Sequence, residues 1–196
     1  MSKVLLVQNA YHYQHHTHLQ PLGLMYVASA LRQKGHEVGL LDMKVEQMSM
    51  DAALDHVGRF RPDVLGVSGM SFESASMYEM AKRAKASWPE MTIVAGGPHA
   101  TNVPEDALKQ VPELDYICLG EGEQTSVEMM DQLTNGRPMD KVNGLAFMAD
   151  GRFHQTPARD FIEDLDAVPF PAWDLVPLKN ISSSTAAASS TLGRNS

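Results

Sequence analysis

Five short apolar runs recur along the chain, and a stretch of helical period follows each of them. They are Val4-Leu5-Leu6-Val7, Glu37-Val38-Gly39-Leu40-Leu41, Val64-Leu65-Gly66-Val67, Thr92-Ile93-Val94-Ala95 and Tyr116-Ile117-Cys118-Leu119, each bounded by Gly, Pro or Asp. Runs of this kind read as parallel strands buried on both faces. Strand–helix alternation repeated five times predicts an open, doubly wound α/β sheet with helices on both sides. In such sheets ligands sit beyond the carboxyl ends of the strands. The segments following Val7, Ser68, Ala95 and Leu119 are therefore where function is expected.

The helices carry their own start and stop signals. Pro21 suits a first turn ahead of Leu22, Met25 and Tyr26, and that helix stops at Lys34-Gly35. Ser49 is placed to cap a second helix, and a third spans about 72–87 up to Trp88-Pro89. A fourth begins near Pro104-Glu105-Asp106, and a fifth covers about 124–133 before Asn135-Gly136.

After residue 140 the pattern changes. Val142 to Phe147, Asp150-Gly151 and Arg152 to Gln155 predict a β-hairpin. Residues 156–178 carry Pro157, Pro169, Pro171 and Pro177 among Phe161, Phe170 and Trp173, which reads as an extended arm with those aromatics as packed anchors. Residues 182–190 are a small-residue run and are expected to be disordered. The expected division is an α/β domain over 1–140, a hairpin and Pro/aromatic arm over 141–178, and a tail over 179–196.

Composition removes several classes of function. A single cysteine, Cys118, excludes an intrachain disulfide, a Cys-rich zinc site and an iron–sulfur cluster held by this chain alone. A net charge of −8 with no Lys/Arg block argues against nucleic acid as a partner. No stretch approaches a membrane span or a signal peptide, so a cytoplasmic protein is expected. Neither G-x-G-x-x-G nor a Walker-type phosphate loop occurs, and Gln8-Asn9 stands where a receiver domain would cluster acids.

The strand-end loops remain. Val67-Ser68-Gly69-Met70-Ser71 offers a hydroxyl and a side-chain-free backbone, and Gly96-Gly97-Pro98-His99 clears space after the fourth strand. Gly120-Glu121-Gly122-Glu123 does the same after the fifth, with Glu121 as an acceptor. Glycine at one strand end is an ordinary turn device; three consecutive strand ends of this character point to a ligand groove.

Taken in order, PLGLMYVASALRQKGHEV at 21–38, PDVLGVSGMS at 62–71, VAGGPHAT at 94–101, YICLGEGEQT at 116–125 and VNGLAF at 142–147 resemble the cobalamin (vitamin B12)-binding domain found ahead of radical-SAM barrels. PFPAWDLVPL at 169–178 looks like the linker into such a barrel. The resemblance runs from about residue 3 to 178. It implies a flavodoxin-like, five-stranded parallel sheet of order 2-1-3-4-5. It also implies a base-off corrinoid whose nucleotide tail threads between sheet and helix, with the corrin ring across the strand carboxyl ends. On the matching positions, Ser68, Gly69, Met70 and Ser71 would line the tail channel beside Gly96, Gly97, Pro98 and His99, with Gly120, Glu121 and Gly122 on its far side. Asn9, His12, Leu22 and Gly23 complete the expected cofactor-binding set.

Two departures bear on function. The cobalt-ligating D-x-H-x-x-G of methyltransferases and mutases is missing after the first strand, where His12, His15, His16 and His18 cluster instead. Those four are the candidate metal ligands, to cobalt or, in the alternative, to haem iron or zinc. The C-x-x-x-C-x-x-C triad of the barrel is also missing, so the chain is expected to bind rather than generate a radical alone. It would then be a stand-alone carrier or sensor, or a truncated half-enzyme, working with a separate radical-SAM or methyltransferase protein. A pure protein-interaction domain with an empty groove is the remaining alternative. Cys118, mid-run among apolar neighbours, reads as a buried structural thiol.

Overall fold

The computed structural model describes residues 1–10 and 20–177. The candidate metal ligands His12, His15, His16 and His18 and the expected disordered tail lie outside the described residues. Strands β1 (Lys3–Gln8), β2 (Glu37–Asp42), β3 (Val64–Ser68), β4 (Thr92–Gly96) and β5 (Tyr116–Cys118) alternate with helices α1 (Leu22–Gln33), α2 (Met50–Phe60), α3 (Ser74–Ser87), α4 (Gly97–Asn102), α5 (Pro104–Gln110) and α6 (Gly122–Asn135). Strands β6 (Leu145–Ala149) and β7 (Arg152–Gln155) follow. The sheet order is β2-β1-β3-β4-β5-β6-β7, with the first five strands parallel and the last two antiparallel.

The expected five-stranded sheet is thus extended to seven. The hairpin pairs with β5 through Ile117↔Ala146 and Cys118↔Leu145 instead of standing apart. Its turn is the Asp-Gly one expected, with Asp150 at φ 50° and Gly151 at φ 71°. Its first strand begins later than the sequence suggests, because Gly144 at φ 78° interrupts extended backbone. Helix α4 is a second addition. Gly-Gly-Pro reads as loop, yet Pro98 falls in the first turn, where its missing N–H costs nothing.

Side-chain alternation along the strands separates two layers. Leu5, Val7, Leu65, Val67, Ile93, Ala95 and Ile117 pack under α2, α3 and α5. Val4, Leu6, Val64, Val94 and Cys118 face α1 and α6. No helix among the described residues is long and apolar enough to cross a membrane.

The arm is anchored differently from the expectation. Phe161 and Phe170 are 83% and 91% exposed, and Trp173 is also exposed; Pro171, Ala172 and Val176 are buried instead. The Ala172 amide donates to the Met25 carbonyl at 3.2 Å, and Ser29 Oγ donates to the Phe170 carbonyl at 2.6 Å.

Candidate functional site

The carboxyl ends of β1, β3, β4 and β5 lie side by side in the sheet, and α1 and α6 follow the outer two, β1 and β5. Alternation places Gly66, Ser68 and Gly96 on the same face as Val64 and Val94, toward those two helices. Ser68 and Gly96, partners in the β3–β4 register, form a shallow trough there, while the Leu6 side chain covers Gly66. A Cβ at Gly96 would meet nothing closer than the Cys118 carbonyl oxygen at 4.0 Å. At Gly66 it would meet the end of the Leu6 side chain at 2.7 Å, with backbone no nearer than 3.9 Å. Gly66 was not among the expected site residues. Its signal was a glycine in mid-strand, which marks a close approach to the sheet.

The other strand-end glycines divide into open and filled positions. Gly23, in the first turn of α1, and Gly120, at φ 67°, have no atom within 4 Å of a built Cβ. Gly69 is filled by the protein, since a Cβ would meet Met77 Sδ at 2.9 Å and Glu73 at 3.0 Å. Gly97, at φ 83°, is closed by Ser68 Oγ at 2.6 Å, and Gly122 by Val27 at 3.0 Å. At those three positions an added side chain would collide with the protein itself.

Several expected site residues have protein partners. Asn9 is fully buried on the α3 side, donating from Nδ2 to the Ser76 carbonyl and Oγ at 3.4 Å. His99 is turned toward α3, where Nε2 shares a 2.7 Å hydrogen bond with the Tyr78 hydroxyl. Burial holds its imidazole below the ordinary value and raises the Tyr78 phenol, with Asp106 adding to the latter. Glu121 accepts the Ile162 amide at 3.2 Å, so its carboxylate receives the arm. Burial also raises the neighbouring Glu123 carboxyl, a shift that Glu121 increases. Leu22, Met70 and Ser71 remain exposed at this end of the sheet, and so does Phe72, an apolar residue that sequence reasoning passed over.

Beneath them lies a buried carboxylate that the sequence did not announce. Glu73 is 1% exposed and pairs through Oε1 with Lys44 Nζ. Its Oε2 accepts the Met70 amide at 2.7 Å and lies 3.5 Å from Gln8 Nε2. An acid among serines just before a helix reads as a solvated first-turn residue, which hid it.

Among the described residues no three His, Cys, Asp or Glu side chains converge as a metal site. Two open cavities, of about 590 Å³ beside Lys34, His36 and Gln132 and about 630 Å³ beside Arg61 and Trp88, lie at the amino ends of the strands. Neither borders the trough.

A family model described as B12 binding domain matches residues 14–129. An uncharacterized methyltransferase of Pyrococcus horikoshii is 34% identical over 158 residues, covering 81% of this chain and 34% of that protein. An anaerobic magnesium-protoporphyrin IX monomethyl ester cyclase of Synechocystis sp. is 32% identical over 166 residues, covering 84% and 33%. The chain therefore spans about a third of the length of these curated relatives. The solved structure of the cobalamin-dependent S-adenosylmethionine radical enzyme OxsB, with aqua-cobalamin and S-adenosylmethionine bound, superposes with a TM-score of 0.79 at 23% identity. It covers 93% of this chain and 25% of that one, a likeness of fold.

Proposed function

This chain belongs to the B12-binding domain family, and from that premise we propose that it holds cobalamin base-off, with the nucleotide tail in the trough formed by Ser68 and Gly96. The trough is the observation that carries the reading. A flat benzimidazole needs a surface free of side chains, and Gly96 leaves that surface open under α1 and α6. Ser68 supplies a hydroxyl at its rim, and the open backbone at Gly23 and Gly120 lets a bulky group approach from either side. When bound, cobalamin supplies a cobalt centre able to carry an alkyl group. The protein's part is to bind and orient it: residues 1–140 form the cofactor-holding unit, and residues 141–178 brace it through Arg159, Ala172 and Val176.

In this reading the corrin ring lies over the strand ends, against the exposed Leu22, Met70 and Phe72. The chemistry is completed by a radical-SAM or methyltransferase protein, whether a separate chain or a further part of the same one. The names of the relatives and the bare aromatics of the arm support that partner. An axial role for His12, His15, His16 or His18 belongs to the same proposal.

The deciding experiment mixes the protein with hydroxocobalamin, removes free ligand on a desalting column and records the spectrum. Retained cobalamin with a base-off absorbance pattern is expected. Cobalamin that washes through overturns the reading, and haemin retained with a sharp Soret band in its place would favour a haem site. Single substitutions of the four histidines then test axial ligation; spectra unchanged throughout would remove it.

A further inference from the structure

We propose that Glu73 is a positioning residue for the cofactor site, its carboxylate fixing three consecutive strand ends in the arrangement that receives the corrin ring. The inference rests on the cobalamin reading above. Gln8 ends β1, Lys44 follows β2 and Met70 follows β3, and these strands are neighbours in the order β2-β1-β3. One carboxylate engages all three: Lys44 Nζ on Oε1, and the Met70 amide and Gln8 Nε2 on Oε2. The Gly69 backbone is bare so that Glu73 and Met77 can come in beneath it. Glycine at this position therefore serves the anchor, and only through it the ligand.

Stability alone is a poor reason for this arrangement. A buried ion pair roughly breaks even against apolar side chains of similar volume, because both charges are taken out of water. What a charged anchor provides is a single geometry, since each of its oxygens must find its own donor. Met70 and Phe72, both in the anchored turn from Met70 to Glu73, are 45% and 51% exposed at the carboxyl ends of the strands. The buried carboxylate thus fixes the turn that carries these two residues, beginning at the Met70 amide.

Glu73→Gln preserves shape and removes the charge, while Lys44→Met removes the partner, whose own side chain is partly solvated. In the cofactor-free protein the Met70 amide is expected to exchange with deuterium several-fold faster in Glu73→Gln, because a neutral acceptor holds it less strongly. Exchange equal to wild type overturns the anchor, whatever cobalamin does. In hydroxocobalamin titrations each single substitution is expected to weaken binding about tenfold. The double substitution, which leaves no unpaired charge, should lose no more cobalamin affinity than either single one, with its own unfolding midpoint little changed. Folded single variants that bind as tightly as wild type overturn the positioning role, and so do independent, additive losses. If wild-type protein does not retain cobalamin, the reading of the site falls and the corrin half of this inference falls with it; the amide exchange still judges the anchor.

Discussion

A Cβ at Gly97 would sit 2.6 Å from Ser68 Oγ and 3.3 Å from the Gly69 carbonyl oxygen, on backbone at φ 83°. Both the dihedral and the space require glycine. Gly97→Ala is expected to cost about 1–3 kcal/mol in urea unfolding; a loss under about 0.5 kcal/mol, the range of neutral surface changes, would contradict this. Gly96 is the contrasting case. Its backbone is extended (φ −150°), and an added Cβ would meet only the Cys118 carbonyl oxygen, at 4.0 Å. Gly96→Val should therefore melt like wild type yet lose hydroxocobalamin on desalting, and a variant that keeps both properties removes the trough as the tail site. Cys118 gives a pH test. Burial pushes its thiol from 9.0 up to about 11. Between those values the unfolded chain has lost a proton that the folded chain keeps, so stability falls as pH rises through that window. The fall amounts to about 2–3 kcal/mol, and Cys118→Ala should flatten that part of the curve of unfolding free energy against pH.

At the scale of elements, two arginines tie the arm to the body and should differ in weight. Arg159 reaches from the arm to Thr125 Oγ1, Gln124, Glu128 and the Asn143 carbonyl, linking α6 to the approach of β6. Arg32 meets Asp174 through a bidentate but exposed pair on α1. Arg159→Ala is expected to cost about 1–3 kcal/mol and Arg32→Ala under about 1 kcal/mol, as read by thermal unfolding; the reverse order would show that the arm is held from α1. How the elements were legible follows from what encodes them. The parallel strands and the starts of α1 and α2 rest on local signals, namely apolar runs, a proline just ahead of α1, at its cap instead of its first turn, and the Ser49 cap, whose Oγ accepts the Ala52 amide at 3.2 Å. The partner of the hairpin is not local, and nothing in residues 142–155 says that β5 is waiting for it. Helix α4 was hidden because Gly-Gly-Pro carries the same signal for a loop and for a tight helical entry. At the site, glycines at strand ends were readable, but which neighbour fills each one was not. That depends on Ser68 reaching Gly97 and on Glu73 reaching under Gly69, contacts set by the packing of β3 against β4 and of the turn before α3.

For the molecule as a whole, the trough lies between the sheet and two helices that pack on each other, so a bound tail would add contacts across the layer of Val4, Leu6, Ala28, Val94 and Met129. Hydroxocobalamin at about a hundred times its Kd should then stabilise the fold by about 2.7 kcal/mol. For a chain of this size that raises the melting temperature by about 5–10 °C. A melting curve that ignores cobalamin over that range would contradict specific binding to the folded state. The hairpin also has a consequence at this scale. Without it, the last strand would be the apolar Tyr116-Ile117-Cys118, whose free amides and carbonyls could template a strand from another molecule. Instead the sheet closes on β7, four residues long, with Arg152, His154 and Gln155 exposed and His154 stacked on Phe147. A short, polar border of this kind blocks edge-to-edge growth on that side, so β6 and β7 guard against amyloid-like association as well as widening the sheet.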